Sequence, residues 1–275
     1  MHPERPSDPT PRTIDLPRGP MTFVDEGATE GAPALALHGL PGSLRDFRWL
    51  APAVAAHGRM LRIDFPGFGG TPERTGPDFD VPSRAALVVE FLDALGIERV
   101  DLLGHSMGGI IATAVADAWP DRVARLVLLA TPGLREHRAL RRMPYRTMAT
   151  LLRSQRRARW LRPVVSRLFA AGGFRGRYAD GAYRRTMLQL EQVDIPAHAD
   201  RLRRATVPTG VVWCEDDPLI EPEIPRAMAQ VVPPGVRRCF PDGGHNPQKF
   251  YAVEIAECLA ADWPRDDKRG TSKTA

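Results

Sequence analysis

The stretch Val100-Asp101-Leu102-Leu103-Gly104-His105-Ser106-Met107-Gly108-Gly109-Ile110-Ile111-Ala112 decides how this 275-residue chain is read. An apolar run leads into a serine bracketed by glycines and a second apolar run leaves it, so a buried strand turns abruptly into a helix at Ser106. So sharp a turn forces its central residue into a strained backbone conformation and crowds the neighbours. It therefore calls for glycine two positions before and two after, here Gly104 and Gly108. A side chain held there stands at the sheet edge against the positive end of the following helix, and the Met107 N–H is placed to receive developing negative charge.

A serine hydroxyl is a poor nucleophile at neutral pH, so this chemistry needs a base to take its proton and a carboxylate to orient the base. Downstream, the apolar strand Val211-Val212-Trp213 ends in Cys214-Glu215-Asp216-Asp217-Pro218. The strand Arg237-Arg238-Cys239-Phe240 is followed by Pro241-Asp242-Gly243-Gly244-His245-Asn246-Pro247. Asp217 is the expected acid, with Asp216 and Glu215 as alternatives, and His245 is the expected base. Asp242 with its two glycines suits a tight bend. Upstream, Ala34-Leu35-Ala36-Leu37 runs into His38-Gly39-Leu40-Pro41-Gly42-Ser43, a glycine-containing turn ahead of a helical segment over 44–56 that could offer a second oxyanion donor.

The chain order Ser, Asp, His is that of the α/β-hydrolase topology. On these motifs the chain resembles the α/β-hydrolase superfamily over nearly its whole length, and more narrowly its capped, esterase-like members. The resemblance implies that His38-Gly39-Leu40-Pro41 is an oxyanion loop with the Leu40 N–H as donor beside that of Met107. It also implies that residues 64–69 form the fourth-strand turn and residues 104–108 the nucleophile elbow. A glycine commonly stands three residues before the acid in that family, where this chain has Cys214. His38 is read as a brace of the oxyanion loop, His105 as a structural neighbour and Asp64 as a buried hydrogen-bonding residue. His2, His57, His137 and His198 lie in no motif, and surface or packing roles are the expectation for them.

Seven short apolar runs, at 21–24, 34–37, 60–63, 100–103, 123–129, 211–213 and 236–240, read as strands mostly separated by helices. That alternation predicts an α/β fold with a mostly parallel sheet flanked by helices. The clearest helix spans 82–95, with Leu87, Val88, Phe91, Leu92 and Leu95 on one stripe, Pro82 in the first turn and Gly96 at the end. The alternation stops over 133–205, which reads as a helical cap inserted after the sixth strand. Within it, 143–152 and 183–190 are expected helices, and Leu161, Val164, Val165, Leu168 and Phe169 fall at helical spacing. The resemblance implies that such an insertion covers the nucleophile and shapes the substrate pocket. Tyr145, Trp160, Phe169, Phe174, Tyr178 and Tyr183 are candidates for its lining, although core packing inside the cap is the expected role for most of them. The expected organisation is a disordered tail over 1–12, a core over 13–132 and 206–263, the cap over 133–205, and a second tail over 264–275.

The hydrophobic content of 43% suffices for a sizeable core. Cys214, Cys239 and Cys258 show no disulfide or zinc pattern, which points to a reducing compartment. Residues 1–13 contain no apolar leader segment, and no run approaches the ~20 apolar residues of a membrane span, so a cytoplasmic location is expected. Residues 133–205 hold 18 Arg, no Lys and five acidic residues, a net of +13, against a net of −8 for the rest. This basic cap is read either as a weak attractor of anionic surfaces and substrates or as solvated surface in a chain with 35 Arg and 3 Lys. No aromatic-interleaved platform accompanies the arginines, which argues against nucleic acid.

The expected activity is that of a serine hydrolase cleaving a small ester, uncharged or anionic, through an acyl-enzyme, with neither cofactor nor metal. A carbon–carbon bond hydrolase, a thioesterase or lactonase, and a perhydrolase on the same triad are the enzymatic alternatives. A ligand receptor or scaffold on the same fold is the non-enzymatic one, against which the intact triad argues. Carbon–carbon hydrolases of this family often carry a tryptophan after the catalytic histidine, where this chain has Asn246. A serine at the elbow also argues against the aspartate-nucleophile haloalkane dehalogenases and epoxide hydrolases.

Overall fold

The computed structural model describes residues 6–28, 32–74, 80–171 and 181–261. One sheet is built from β1 (Arg12–Leu16), β2 (Gly19–Glu26), β3 (Ala34–Leu37), β4 (Met60–Ile63), β5 (Val100–His105), β6 (Val123–Leu129), β7 (Thr209–Cys214) and β8 (Arg237–Phe240). Their order across the sheet is β1-β2-β4-β3-β5-β6-β7-β8. Every pairing from β4 to β8 is parallel, and β1 with β2 and β2 with β4 are antiparallel. The inner strands β3, β5, β6 and β7 are buried along their whole length, which is why they read as continuous apolar runs.

The seven apolar runs correspond to β2–β8, and β1 is an addition. Only Leu16 of this edge strand is buried, so it carries no apolar run to read. The tail expected over 1–12 is corrected accordingly. Arg12 pairs with Phe23 in the sheet, and Asp8 forms an ion pair with Arg62, whose side chain is buried. Residues 1–5 and the whole of the tail expected at 264–275 lie outside the described residues.

Among the described residues the helices are α1 (Leu50–Ala55), α2 (Val81–Ala94), α3 (Met107–Ala118), α4 (Arg138–Arg142), α5 (Tyr145–Leu152), α6 (Gln155–Ala171), α7 (Ala182–Glu191), α8 (Ile195–Arg203), α9 (Glu223–Val231), α10 (Pro247–Phe250) and α11 (Ala252–Ala260). The helix expected over 82–95 is α2. The Asp80 side chain caps it by accepting from the Ser83 N–H at 2.7 Å, and Gly96, at φ +64°, closes it. The segment expected to be helical over 44–56 is split into a 3-10 turn at Leu44–Phe47 and α1. α1 and α11 cover one face of the sheet, burying Leu50, Val54, Ile255 and Leu259 against Ala36, Leu103, Val127 and Leu129. α2 and α3 pack together on the other face.

α4 to α8 intervene between β6 and β7, where the alternation was expected to stop. Apolar side chains of α4–α7, among them Leu140, Met148, Phe169 and Met187, join the same buried cluster as α2 and α3. α8 lies inside the interval expected to be cap, yet it packs against α3 and completes the crossover to β7. Its buried residues, Ile195, His198, Ala199 and Leu202, repeat at ordinary helical spacing, so its sequence does not distinguish a layer helix from a cap helix.

From β3 the chain first adds β4 on one side and then β5 on the other. This reversal leaves a crevice beyond the carboxyl ends of β3 and β5, the preferred place for a ligand in an open α/β sheet. Those two strand ends carry the turn at 38–42 and Ser106.

Candidate active site

Ser106 sits between β5 and α3 with φ +52° and ψ −120°, a conformation that is costly for a residue with a side chain. Neighbouring backbone explains the glycines around it. A Cβ on Gly108 would lie 2.1 Å from the Leu37 carbonyl oxygen, and one on Gly104 would lie 2.4 Å from Gly109 Cα. A Cβ on Gly39 would lie 3.0 Å from Ser106 Cβ, so the turn after β3 closes directly onto the serine. Leu40 and Met107, the expected oxyanion donors, both line the cavity that contains Ser106. The Met107 N–H belongs to the first turn of α3, where no carbonyl of the helix can accept it.

His245 brings the distant elements together. Its Nε2 lies 2.9 Å from Ser106 Oγ and its Nδ1 lies 2.8 Å from Asp217 Oδ2. Asp217 is buried, and its other oxygen accepts from the Leu219 and Ile220 N–H groups at 2.8 and 3.1 Å. Burial alone would raise its pKa. The adjacent His245 and the two backbone donors outweigh that penalty and hold the carboxyl below its ordinary value. An ionised Asp217 accepts only, so it draws the imidazole proton to Nδ1 and leaves the Nε2 lone pair facing the serine hydroxyl.

The three neighbouring acids take different partners. Asp216 accepts from the Gly244 N–H at 2.7 Å and braces the turn before His245. Glu215 pairs with Arg226 and accepts from the Cys239 thiol. Asp217 alone of the three meets the imidazole.

Two further histidines serve the scaffold. The Phe65 N–H donates to His38 Nε2 at 3.1 Å, so His38 carries its proton on Nδ1 and donates it to the Gly39 carbonyl at 2.8 Å. Burial pushes its pKa down to about 4, which keeps the ring neutral and the turn after β3 braced. His105 donates from Nε2 to the His245 backbone carbonyl at 2.7 Å, and burial pushes it down to about 3. It thereby ties β5 to the loop that presents His245. Asp64 accepts from the Leu44 and Gly70 N–H groups, both at 2.7 Å, and joins the loops after β3 and β4.

A narrow cavity opens beside Ser106 and His245. Ile110 of α3, Ala139 and Leu140 of α4, Leu190 of α7, and Val193 and Leu219 make it largely aliphatic. Of the six aromatic candidates, the four among the described residues do not line it. Tyr145 and Phe169 are buried in packing, Phe169 making an edge-on contact with Tyr183 at 4.8 Å. Tyr183 lines a separate cleft with Glu73 and Arg184, and Trp160 is 82% exposed. Phe174 and Tyr178 lie outside the described residues.

His137 instead lines the cavity, a position for which no sequence motif prepared. It donates from Nδ1 to the Leu219 carbonyl at 3.2 Å, and burial lowers its pKa to about 4. The neutral ring therefore keeps an acceptor at Nε2. Glu221 was likewise invisible in sequence. It follows Asp217 by four residues, accepts from the Arg138 N–H at 2.6 Å at the start of α4, and pairs with Arg135 and Arg141. The acid loop and the first helices after β6 are thus held to one carboxylate.

This geometry agrees with what the chain is similar to. A model described as "Alpha/beta hydrolase family" matches residues 34–257. The chain belongs to the alpha/beta hydrolase family. Family members with curated descriptions have varied activities. The chain is 28% identical over 266 residues to the dihydrolipoyllysine-residue acetyltransferase component of the acetoin cleaving system of Pseudomonas putida, covering 92% of this chain and 69% of that protein. It is 39% identical over 113 residues to a 2-hydroxy-6-oxo-2,4-heptadienoate hydrolase of Pseudomonas putida, covering 40% of each. A putative lipase from Acinetobacter baumannii AYE superimposes with a TM-score of 0.72 at 19% identity, covering 90% of this chain and 88% of that one. Among the described residues of this hydrolase-family chain, no helix is long and apolar enough to cross a membrane. No group of three or more His, Cys, Asp or Glu in them is placed to hold a metal.

Proposed function

We propose that the protein is a serine hydrolase of small, uncharged esters. The observation that carries this reading is the continuous hydrogen-bonded path Ser106–His245–Asp217, opening at a strained elbow onto an aliphatic cavity. Ser106 Oγ attacks the ester carbonyl carbon while His245 Nε2 takes the hydroxyl proton, and Asp217 stabilises the imidazolium that forms. The carbonyl oxygen becomes an oxyanion, received by the Leu40 and Met107 N–H groups. On collapse, the C–O bond to the alcohol breaks and His245 returns the proton to the leaving oxygen. Water, deprotonated by His245, then attacks the acyl-serine, and Ser106 leaves with the proton restored.

The cavity lining supports an uncharged ester over an anionic one. Among the described residues its lining includes no Lys or Arg, so a carboxylate buried there would find no charge in them to pair with. The same consideration weighs against carbon–carbon hydrolysis of a dienoate, the reading that the 39% match favours. The segment over 133–193, with α4 and α7 on the cavity wall, acts as the cover over the site. Within that cover His137 is the polar side chain that discriminates. Its Nε2 acceptor favours an ester carrying a hydroxyl or N–H near the carbonyl.

A fluorophosphonate probe tests the assignment. One equivalent is expected on Ser106, and Ser106→Ala is expected to lose both labelling and ester turnover while unfolding like the parent. Labelling of another serine, or an Ala variant that still turns over esters, would overturn it.

A further inference from the structure

Seven large hydrophobic side chains are exposed among the described residues, and four of them, Leu151, Trp160, Val164 and Leu168, belong to α5 and α6. Trp160, Val164 and Leu168 are 82%, 53% and 40% exposed and succeed one another at four-residue spacing, which puts them on one face of α6. The inward face of the same helix is already used, with Val165 and Phe169 buried in the core cluster. α6 thus has a second apolar stripe that its own fold does not cover.

Charge identifies what fits the stripe. α6 contains five arginines and no acidic residue. Elsewhere between β6 and β7 most of the described arginines are committed to carboxylates, Arg138, Arg142 and Arg146 being exceptions. Arg135 and Arg141 pair with Glu221, Arg153 with Glu191, Arg184 and Arg185 with Glu73, and Arg201 and Arg204 with Asp117. Arg156, Arg157 and Arg167 flank Trp160 at i−4, i−3 and i+7, and among the described residues none of them has a carboxylate partner. An apolar stripe bordered by arginines, with tryptophan at its N-terminal end, is the pattern of a helix lying in a bilayer interface. The arginines meet headgroup phosphates while Trp160, Val164 and Leu168 enter the acyl boundary. A second copy of this face would bring like charges together. A nucleic-acid backbone would satisfy the arginines but leave the aliphatic stripe in water.

We propose that the outer face of α6 docks the protein on bilayers rich in acidic phospholipid. The proposal stands apart from the hydrolase reading, since it concerns binding alone.

The test uses the full chain with sedimented vesicles of phosphatidylcholine, with and without phosphatidylglycerol. Binding is expected only to the phosphatidylglycerol vesicles, with release by added salt. Trp160→Glu is expected to weaken it at least about tenfold by placing a charge where the ring inserts. Joint replacement of Arg156, Arg157 and Arg167 by Glu is expected to abolish it. Val253→Glu is the control, because Val253 is 59% exposed on the opposite layer beside Glu254 and Glu257 and is expected to change nothing. Circular dichroism verifies that each variant is folded. Absence of binding by the parent, equal binding to both vesicle types, or indifference to either α6 variant would overturn the proposal. So would a vesicle-free dimer dissolved by Trp160→Glu, or retention on nucleic acid that survives it.

Discussion

α3 and α6 are both apolar on more than one side, for opposite reasons. In α3 every residue from Met107 to Ala116 is buried, because the helix is wedged between the sheet, α2 and α8. Its glycines are there for close backbone approach, and its first turn presents Ser106. In α6 the inward stripe is enough for packing, and the outward stripe stays in water. Burial explains the apolar content of the first helix completely and that of the second only in half. The unexplained half lies beside Arg156, Arg157 and Arg167, for which the described residues supply no carboxylate.

The largest effects that would test this division lie at the α3 end. Asp217→Asn leaves an imidazole in the wrong tautomer and is expected to cost on the order of 10⁴ in kcat. Asp216→Asn removes one hydrogen bond to Gly244 and is expected to stay within about tenfold of the parent. Steady-state kinetics on a neutral ester separates them, and equal losses would mean that Asp216 and Asp217 share the role.

Stability comes next. The Cβ added by Gly108→Ala meets backbone, which cannot rotate away, so urea unfolding is expected to show a loss on the order of 3 kcal/mol. Val164→Ala on the outer face of α6 is expected to stay within about 0.5 kcal/mol. A core-sized loss at Val164 would mean that its stripe is covered in solution.

Acid should act on the scaffold around α3 before it acts on α6. His38 and His198 are held down to about 4 and His105 to about 3, each by burial first. Above about pH 6.5 these rings are neutral both folded and unfolded, and they impose no pH dependence. As pH falls from there toward 4, the unfolded chain binds protons that the folded chain refuses, so stability is lost with falling pH. Each ring contributes up to about 1.4 kcal/mol per pH unit across that window. Urea midpoints over pH 7 to 4 measure this slope, and His198→Gln is expected to remove about one proton from it. An unchanged slope would mean that His198 is protonated in the fold.

The smallest effect concerns the cover. His137→Leu makes the cavity wall wholly aliphatic around the serine and histidine. It is expected to reduce the preference for a hydroxyl-bearing ester over its methyl isostere by about tenfold in kcat/KM, the scale of one hydrogen bond in a pocket. Matched ester pairs measure it, and an unaltered ratio would make His137 a packing residue.

The elbow and the inner strands were legible because they answer to local requirements. A buried parallel strand needs a run such as Val123–Leu129, and a crowded turn needs Gly104 and Gly108 whatever lies beyond. β1 escaped because an exposed edge strand makes no such demand. α8 was assigned to the cap because amphipathic spacing tells that a helix has a buried face and not what buries it. The aromatics could not be divided between pocket wall and core from sequence, because their size and polarity suit either. The tertiary packing put Phe169 against Tyr183 and left Leu140 and Leu190 to form the wall.

The sequence by itself determined the strand-turn-helix at Ser106, the order of serine, acid and base, and the span in which the alternation breaks, since each follows from neighbouring residues and their steric limits. Tertiary structure alone decided that Asp217 and not Asp216 meets the imidazole, that His137 faces the cavity, and which arginines find carboxylates. Those outcomes depend on partners 28 and 139 residues apart around His245 and 86 apart at the Arg135–Glu221 pair. Over such separations, burial and hydrogen-bond geometry choose among side chains that local pattern leaves equivalent.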